Sequence, residues 1–110
     1  MSILSRQAIL ECNDLPRKRL NIPEWGGDVF IRVITVEELS TMIDVHNHKT
    51  AHNENASLVA IALCDEQGQR LFSDEDIALL SHKNALVMGR ICKEILELNH
   101  IGDTEAIKKD

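Results

Sequence analysis

Three histidines, His46, His48 and His52, lie within seven residues and are the first candidates for chemistry. If this segment is helical, His48 and His52 share one face at a spacing that zinc sites use. No neighbouring cysteine and no HExxH carboxylate completes a ligand set, and polar loops collect histidine and asparagine for solvation alone. We therefore predict that the protein binds no metal and no other cofactor.

The consecutive acids Asp74, Glu75 and Asp76 could be mistaken for a general acid and base. Adjacent residues of a helix point in different directions, so they do not form a catalytic pair. Because they follow Ser73, they fit the first turn of a capped helix, where the helix dipole favours negative charge. The nearby turn at 65–68 lacks the alternating oxygen ligands of a calcium loop. The sequence therefore predicts a protein that is not an enzyme and has no catalytic residues.

The cysteines Cys12, Cys64 and Cys92 are odd in number, far apart, and each lies inside an apolar pattern. Free cysteine behaves as a small hydrophobic residue, and a reducing compartment suits that use. We predict three buried free thiols.

Composition limits the partners. The chain has 110 residues, a net charge of −6 and only 3% aromatic residues, which predicts one domain over 1–110 with an aliphatic, largely helical core. Nucleic acid is not an expected partner, because phosphate binding needs a concentrated basic face. No membrane partner is expected either, since no apolar run approaches the roughly 20 residues that cross a bilayer. An intracellular protein is predicted.

The pattern along the chain predicts an α+β fold that is mostly α-helical, with a small N-terminal β-hairpin packed with four to five helices. Residues 5–12 have helical spacing, with Ser5 or Ser2 as the N-cap. Apolar residues alternate within 17–35 on both sides of a turn at 26–28, which predicts the hairpin.

Thr35 and Glu38 form a capping-box pattern that predicts the start of the next helix. Its apolar stripe consists of Val36, Leu39, Met42, Ile43 and either Val45 or His46. The polar segment 47–55 is predicted to be a loop with partial helical extension. The apolar run 56–64 has no period that separates helix from strand; its alanines favour helix, which we choose, while Val59 and Ile61 favour strand.

The C-terminal part predicts two further helices. Ser73 caps the first, and the second runs from about 83 to 98 with Arg90/Glu94 and Lys93/Glu97 as exposed pairs four residues apart. The charged tail 103–110 is expected to be frayed.

The order of several short motifs resembles the tail assembly chaperones of long-tailed bacteriophages and prophages. These motifs are Ile3-Leu-Ser-Arg-Gln-Ala-Ile-Leu10, Ile22-Pro-Glu-Trp-Gly-Gly-Asp-Val-Phe-Ile-Arg32, Thr35-Val-Glu-Glu-Leu39, the long run from Leu58 to Ile77, and Leu98-Asn-His-Ile-Gly102. Each motif also makes plain structural sense by itself, so the resemblance depends on their order and spacing over nearly the whole chain.

The resemblance implies a non-enzymatic protein of the host bacterium's cytoplasm that is absent from the mature virion. Such chaperones bind the tape measure protein, keep it soluble and help to recruit the major tail protein as the tube forms. Many also exist in a longer form made by ribosomal frameshifting, a possible further partner. Lys108-Lys109 would fit an A-rich slippery site.

A chaperone for an apolar helix needs exposed hydrophobic patches together with net charge that keeps the complex soluble. The candidate partner-binding residues are Trp25, Phe30 and Ile34 on a mixed face of the hairpin, or the final helix where its stripe exceeds what one neighbour covers. A plainer interpretation of Trp25 is a plug against the end of the core. The same patches would support a homo-oligomer.

A second function class stays open at this point. Another phage morphogenesis or adaptor protein, such as a head-tail connector, would also be acidic, mixed in structure and without catalytic residues. Incorporation into the virion as a ring-shaped oligomer would favour that alternative.

Overall fold

The fold is described by a computed structural model that covers residues 3–48 and 54–101. Within these ranges the chain forms five α-helices and one three-stranded antiparallel sheet in the order β1-β2-β3, which confirms the α+β, mostly helical prediction. The elements are α1 (Arg6–Glu11), β1 (Arg17–Ile22), β2 (Gly27–Arg32), α2 (Val36–His48), α3 (Glu54–Ala62), β3 (Leu63–Cys64), α4 (Ile77–Leu80) and α5 (Ala85–Leu98).

The predicted hairpin is present, with its turn slightly earlier than expected. Strands β1 and β2 pair from Arg17 opposite Arg32 to Ile22 opposite Gly27. A single 3-10 turn, Pro23–Trp25, joins them, and Gly26 closes it at φ 77°, a left-handed conformation that glycine adopts without steric cost. Position 27 and the aspartate after it are therefore strand residues rather than part of the turn.

The ambiguous run 56–64 contains both a helix and a strand. Helix α3 covers it as far as Ala62, which confirms the choice of helix for most of the run, and the last two residues form β3. There Leu63 pairs with Ile31 and Cys64 with Phe30 of β2. Since every residue of α3 from Ala56 onward is buried, the helix shows no amphipathic period.

The hydrophobic core lies between α3, α5 and the inner side of β2. Its most deeply buried large side chains are Ile22, Ile31, Val59, Leu63, Val87, Ile91 and Ile95. They are all aliphatic, as the scarcity of aromatic residues predicts. Helix α5 contributes its face at three- and four-residue spacing to this core.

The C-terminal helices begin close to the predicted positions. Ser73 precedes a 3-10 turn, Asp74–Asp76, that leads into α4. The backbone N–H of Ser73 donates to Asp76 Oδ2 at 2.9 Å. Asn84 caps α5, because its Oδ1 accepts from the N–H of Leu86 at 2.8 Å.

The expected ion pair between Arg90 and Glu94 along α5 is wrong. Arg90 instead forms a bidentate pair with Glu24 in the hairpin turn, at 2.6 and 2.9 Å. Glu94 instead accepts from Lys18 Nζ of β1 at 2.8 Å. Because β1 packs beside α5, these charges find partners across elements that a one-helix pattern cannot reveal.

The prediction of three buried thiols is correct for two of them and wrong for the third. Cys64 and Cys92 are buried, and burial raises the pKa of both, that of Cys92 to about 11. Cys12 is exposed, because it follows a helix that contributes no residue to the core. No helix in 3–48 or 54–101 combines the length and the apolar character needed to cross a bilayer.

Candidate functional site

The part of the chain that the structure describes gives little support to the metal site or the acid–base pair that the sequence brings into question. Within 3–48 and 54–101, no three His, Cys, Asp or Glu side chains converge as metal ligands would. The cluster of His46, His48 and His52 falls outside the residues whose side chains are described. The strongest pKa shift of a carboxyl group belongs to Glu24, whose pKa falls to about 2 because Arg90 donates to it, and this pair is exposed.

An apolar groove lies between helices α2, α3 and α5. Its volume is about 400 Å³, and its lining is far more apolar than polar. We call it the helical groove, and it is lined by Leu39, Met42, Ile43, Glu54, Asn55, Leu58, Leu96 and Ile101. Pockets of this size and character commonly bind apolar ligands or side chains.

One wall of the helical groove is the partly uncovered apolar stripe of α2. Met42 packs into the core, but Leu39 stays partly exposed, Ile43 is 51% exposed and Val36 is 84% exposed. These three residues stand at helical spacing on one side of α2. An uncovered stripe of this kind marks an interaction surface more often than isolated exposed leucines do.

A buried ion pair fixes α2 against the sheet and so positions that wall. The Arg32 guanidinium donates to both carboxylate oxygens of Glu38 at 2.8 and 2.9 Å, and also to the Ile61 carbonyl at 2.9 Å. Glu38 also completes the predicted capping box, since it accepts from the Thr35 N–H and its own N–H donates to Thr35 Oγ1. Burial alone would raise the pKa of Glu38, but the hydrogen bonds from Arg32 and Thr35 outweigh it and leave that pKa below its usual value.

Trp25 lies in a second, shallower concavity. It is half-buried, packs against the core, and lines a cleft of about 330 Å³ with Phe72, Leu79 and Lys83. Lys83 Nζ stands 5.8 Å from the indole ring centre, within the range of a cation–π contact. We call this surface the tryptophan cleft. Trp25 packs against the end of the core there, as its plainer interpretation predicts, and the rest of its side chain is exposed.

Phe30 and Ile34 do not share the environment of Trp25. Phe30 is half-buried on the sheet, where the Arg17 and Arg19 guanidinium carbons each lie 5.9 Å from its ring centre. Ile34 is buried in the core, and its backbone N–H donates to Asn99 Oδ1 at 2.8 Å. The three candidates are therefore not brought together on one face, and partner binding by each of them stays a prediction.

The candidate partner-binding residues predicted from the sequence do not include the α2 residues of the helical groove. Their spacing was visible, but a stripe of that width predicts a core-facing helix equally well. The alternative candidate, the final helix, contributes Leu96 of α5 to the groove, and partner binding by this helix stays a prediction. No sequence signal separates the two cases, because the apolar element that follows, α3, packs against α2 and still leaves part of the stripe exposed.

Comparison with known proteins gives a consistent result. A family model described as "Phage tail assembly chaperone, TAC" matches residues 18–99. The solved structure of the bacteriophage HK97 tail assembly chaperone is similar, with a TM-score of 0.68 and 24% sequence identity, over 84% of this chain and 89% of that one. At that identity the likeness shows the fold. No curated protein sequence matches the chain significantly.

Proposed function

Because the chain belongs to the phage tail assembly chaperone family, we propose that it binds and solubilises the tape measure protein and helps to recruit the major tail protein during assembly of the tail tube. The observation that carries the proposal is the helical groove, with its partly exposed Leu39 and Ile43. An uncovered apolar groove of this size is costly to leave in water unless a partner uses it.

The shape of the groove favours a helical client. Its walls come from α2, α3 and α5, and grooves between helices commonly accept the apolar face of an amphipathic helix, with anchors spaced three, four and seven residues apart. A long tape measure helix would offer such faces repeatedly. The lining contains few polar groups, so recognition depends on shape and burial and tolerates many sequences.

The charge of the chaperone supports the solubilising part of the role. A net charge of −6 on each bound copy adds like charge along the client, and complexes far from neutrality resist association. Weak sequence specificity combined with repulsion between complexes is what a chaperone for an aggregation-prone filament requires.

The remaining elements of the proposal concern where and in which form the protein acts. It acts in the cytoplasm of the host bacterium and leaves before the virion is complete. A longer frameshifted form of the same chain works beside it and contacts the major tail protein. What supports these elements is membership of the family.

The proposal can be tested by co-expressing the chain with the tape measure protein encoded in the same genome. We expect the tape measure protein to be soluble, and to co-purify with the chain, only when both are made. The variant Ile43→Asp, which places a charge in the helical groove, should abolish both effects. Leu86→Asp is the matched control, because Leu86 is 85% exposed at the far end of α5.

Loss of solubility with Ile43→Asp but not with Leu86→Asp would support the groove as the client site. If both variants retain the tape measure protein like the unmodified chain, the client binds elsewhere. If the chain does not solubilise the tape measure protein and is instead recovered in purified virions, the connector alternative replaces the chaperone.

A further inference from the structure

One edge of the sheet is open. In the order β1-β2-β3, the outer side of β3 is already occupied, because Cys64 forms a bridge with Arg70 and the Leu71 N–H donates to the Leu63 carbonyl at 3.2 Å. No described segment pairs with the outer side of β1. This strand has six residues, contains no proline and pairs with β2 without a bulge. Apart from charge, it therefore lacks the features that commonly protect an exposed sheet edge.

The register shows which backbone groups face the open edge. The Val33 N–H donates to the Pro16 carbonyl at 3.0 Å, so these two residues form a hydrogen-bonded pair of the antiparallel ladder. Such pairs alternate with non-hydrogen-bonded pairs, whose N–H and C=O groups point away from the partner strand. The backbone groups of Arg17, Arg19 and Asn21 therefore point outward, while the residues between them bond to β2. An added strand would find donors and acceptors at every second position of β1.

Two arginine side chains make one face of this edge positively charged. The guanidinium carbons of Arg17 and Arg19 each lie 5.9 Å from the ring centre of Phe30, which holds both cations on the same face of the sheet. Asp28 accepts from Arg19 at 2.6 Å, whereas no carboxylate of the described residues forms an ion pair with Arg17. A cleft of about 460 Å³ adjoins Arg17 and Phe30. Acidic side chains of an added strand would meet favourable charge on this face.

The other face of the edge offers an apolar contact. Leu20 and Ile22 line a small cavity of about 110 Å³ between β1 and α5, together with Ile91 of the helix. Lys18 lies on the same face as Leu20, but Glu94 pairs with it at 2.8 Å. Because successive side chains of a strand alternate between faces, every second residue of an added strand would lie over this apolar contact. The edge therefore suits a segment in which acidic and apolar residues alternate.

We propose that β1 binds an extended segment of another protein, which adds as a further strand and alternates acidic with apolar residues. In this mode of binding, main-chain hydrogen bonds supply affinity and alternate side chains supply specificity. A second copy of this chain is not the partner, because pairing of β1 with β1 would bring the arginines of both copies together. The same repulsion excludes basic segments. The site shares no residue with the helical groove and is independent of the client proposed to bind there.

Synthetic peptides of about ten residues test the site in NMR titrations of the full-length chain. One peptide alternates valine with glutamate, and its control alternates valine with lysine. We expect the glutamate peptide to bind about tenfold more tightly or better, because the two arginines attract the first peptide and repel the second. A glutamate peptide that is methylated on alternate backbone nitrogens cannot complete the ladder, and we expect it to bind about tenfold more weakly than its parent.

Hydrogen exchange of single amides locates the bound strand. In the free chain the amides of Lys18 and Leu20, which bond to β2, should exchange slowly, whereas those that point outward should exchange fast. The glutamate peptide should slow exchange at Arg17, Arg19 and Asn21. This alternating pattern distinguishes strand addition from charge attraction alone, which would not protect every second amide.

Two variants of the chain separate the backbone from the charge. Arg19→Pro removes an N–H that points outward rather than one that bonds to β2, so it should keep the fold and block the added strand. Arg17→Glu reverses a charge that has no ion pair to lose, and it should weaken binding of the glutamate peptide about fivefold. Arg6→Glu makes the same change of charge in α1 and is the matched control. Circular dichroism verifies the fold of each variant.

Several outcomes would overturn the proposal. These are a glutamate peptide that does not bind at about 1 mM, equal binding of the lysine peptide, and protection only of amides outside β1. Unchanged binding to folded Arg19→Pro, or an equal loss with Arg6→Glu and Arg17→Glu, would also contradict it. If Arg19→Pro does not fold, the methylated peptide makes the same test on the unmodified chain. Since no tape measure protein is present in these experiments, failure here would leave the proposed function standing.

Discussion

Removal of the carboxylate of Glu38 tests how the helical groove is held in place. In Glu38→Ala, Arg32 keeps its buried position, with only 5% of its side chain exposed, but loses both carboxylate contacts. Its Nε atom already lacks a partner, so the charge would depend on the Ile61 and Val33 carbonyls alone. Breaking a buried pair in this way costs about 3 to 5 kcal/mol.

The lower end of that range applies here, because 16% of the Glu38 side chain is exposed and water can reach it. Loss of the capping box adds up to about 1 kcal/mol, so we expect the free energy of unfolding to fall by about 3 to 4 kcal/mol. This is a large share of the roughly 5 to 15 kcal/mol typical of a domain. Urea unfolding followed by the fluorescence of Trp25 and by circular dichroism measures the loss.

A second variant separates the charge from the packing. Arg32→Met combined with Glu38→Leu removes both charges and fills a similar volume, so it should be more stable than Glu38→Ala alone. The reasoning would be refuted if Glu38→Ala lost less than about 1 kcal/mol, a value typical of an exposed pair. It would also be refuted if the double variant were no more stable than the single one.

Three further predictions concern titration, thiol reactivity and the tryptophan cleft. The pKa of Glu38 is lowered, and that of Glu24 falls to about 2. The stability that these two carboxylates contribute is therefore present above the unfolded pKa near 4.3 and is lost as the pH falls through their folded pKa values. Urea unfolding measured between pH 6 and pH 2 should show a free energy of unfolding that decreases as the pH falls, and a flat profile would contradict this. Cys12 should react with a thiol reagent in the native protein, whereas Cys92, with a pKa raised to about 11 by burial, should react only on unfolding; equal native rates would contradict the burial. Trp25→Ser should weaken tape measure capture while the chain stays folded; normal capture, or simple unfolding, would count against a role for the indole in binding.

Local signals account for the parts of the fold that the sequence predicts well. Ser5, Ser73 and the pair Thr35 and Glu38 mark helix starts through hydrogen bonds between residues three positions apart, and the sequence predicts such local contacts. The hairpin is predicted for the same reason, because alternation and a glycine turn are local.

Contacts between distant elements account for the rest. Strand β3 exists because Leu63 meets Ile31 of β2, a pairing 32 positions away that an apolar run does not encode. The alternation predicts Ile34 on a mixed face of the hairpin, yet it is buried in the core, and its backbone N–H donates to Asn99, 65 positions away. Arg90 and Glu94 of α5 likewise pair with charged residues of the distant hairpin rather than with each other.

The sequence predicts that an apolar binding surface exists, but it does not predict which residues form that surface. An apolar surface on an acidic chain follows from composition and resemblance. Which stripe stays uncovered depends on tertiary packing, and α2 has no neighbour over Val36 and Ile43 in the described part of the chain. The exposure of α1 is likewise not predicted, because a local pattern does not show whether a helix packs on the core of its own chain.

The most direct test of the central claim uses a photoreactive amino acid placed in the chaperone and irradiated in its complex with the tape measure protein. With the probe at position 43 we predict a crosslink to the tape measure protein, identified by mass spectrometry on an apolar helical face. With the probe at position 86 we predict none. A stable complex that crosslinks from position 86, or that fails to crosslink from position 43, would contradict the assignment of the helical groove as the client site.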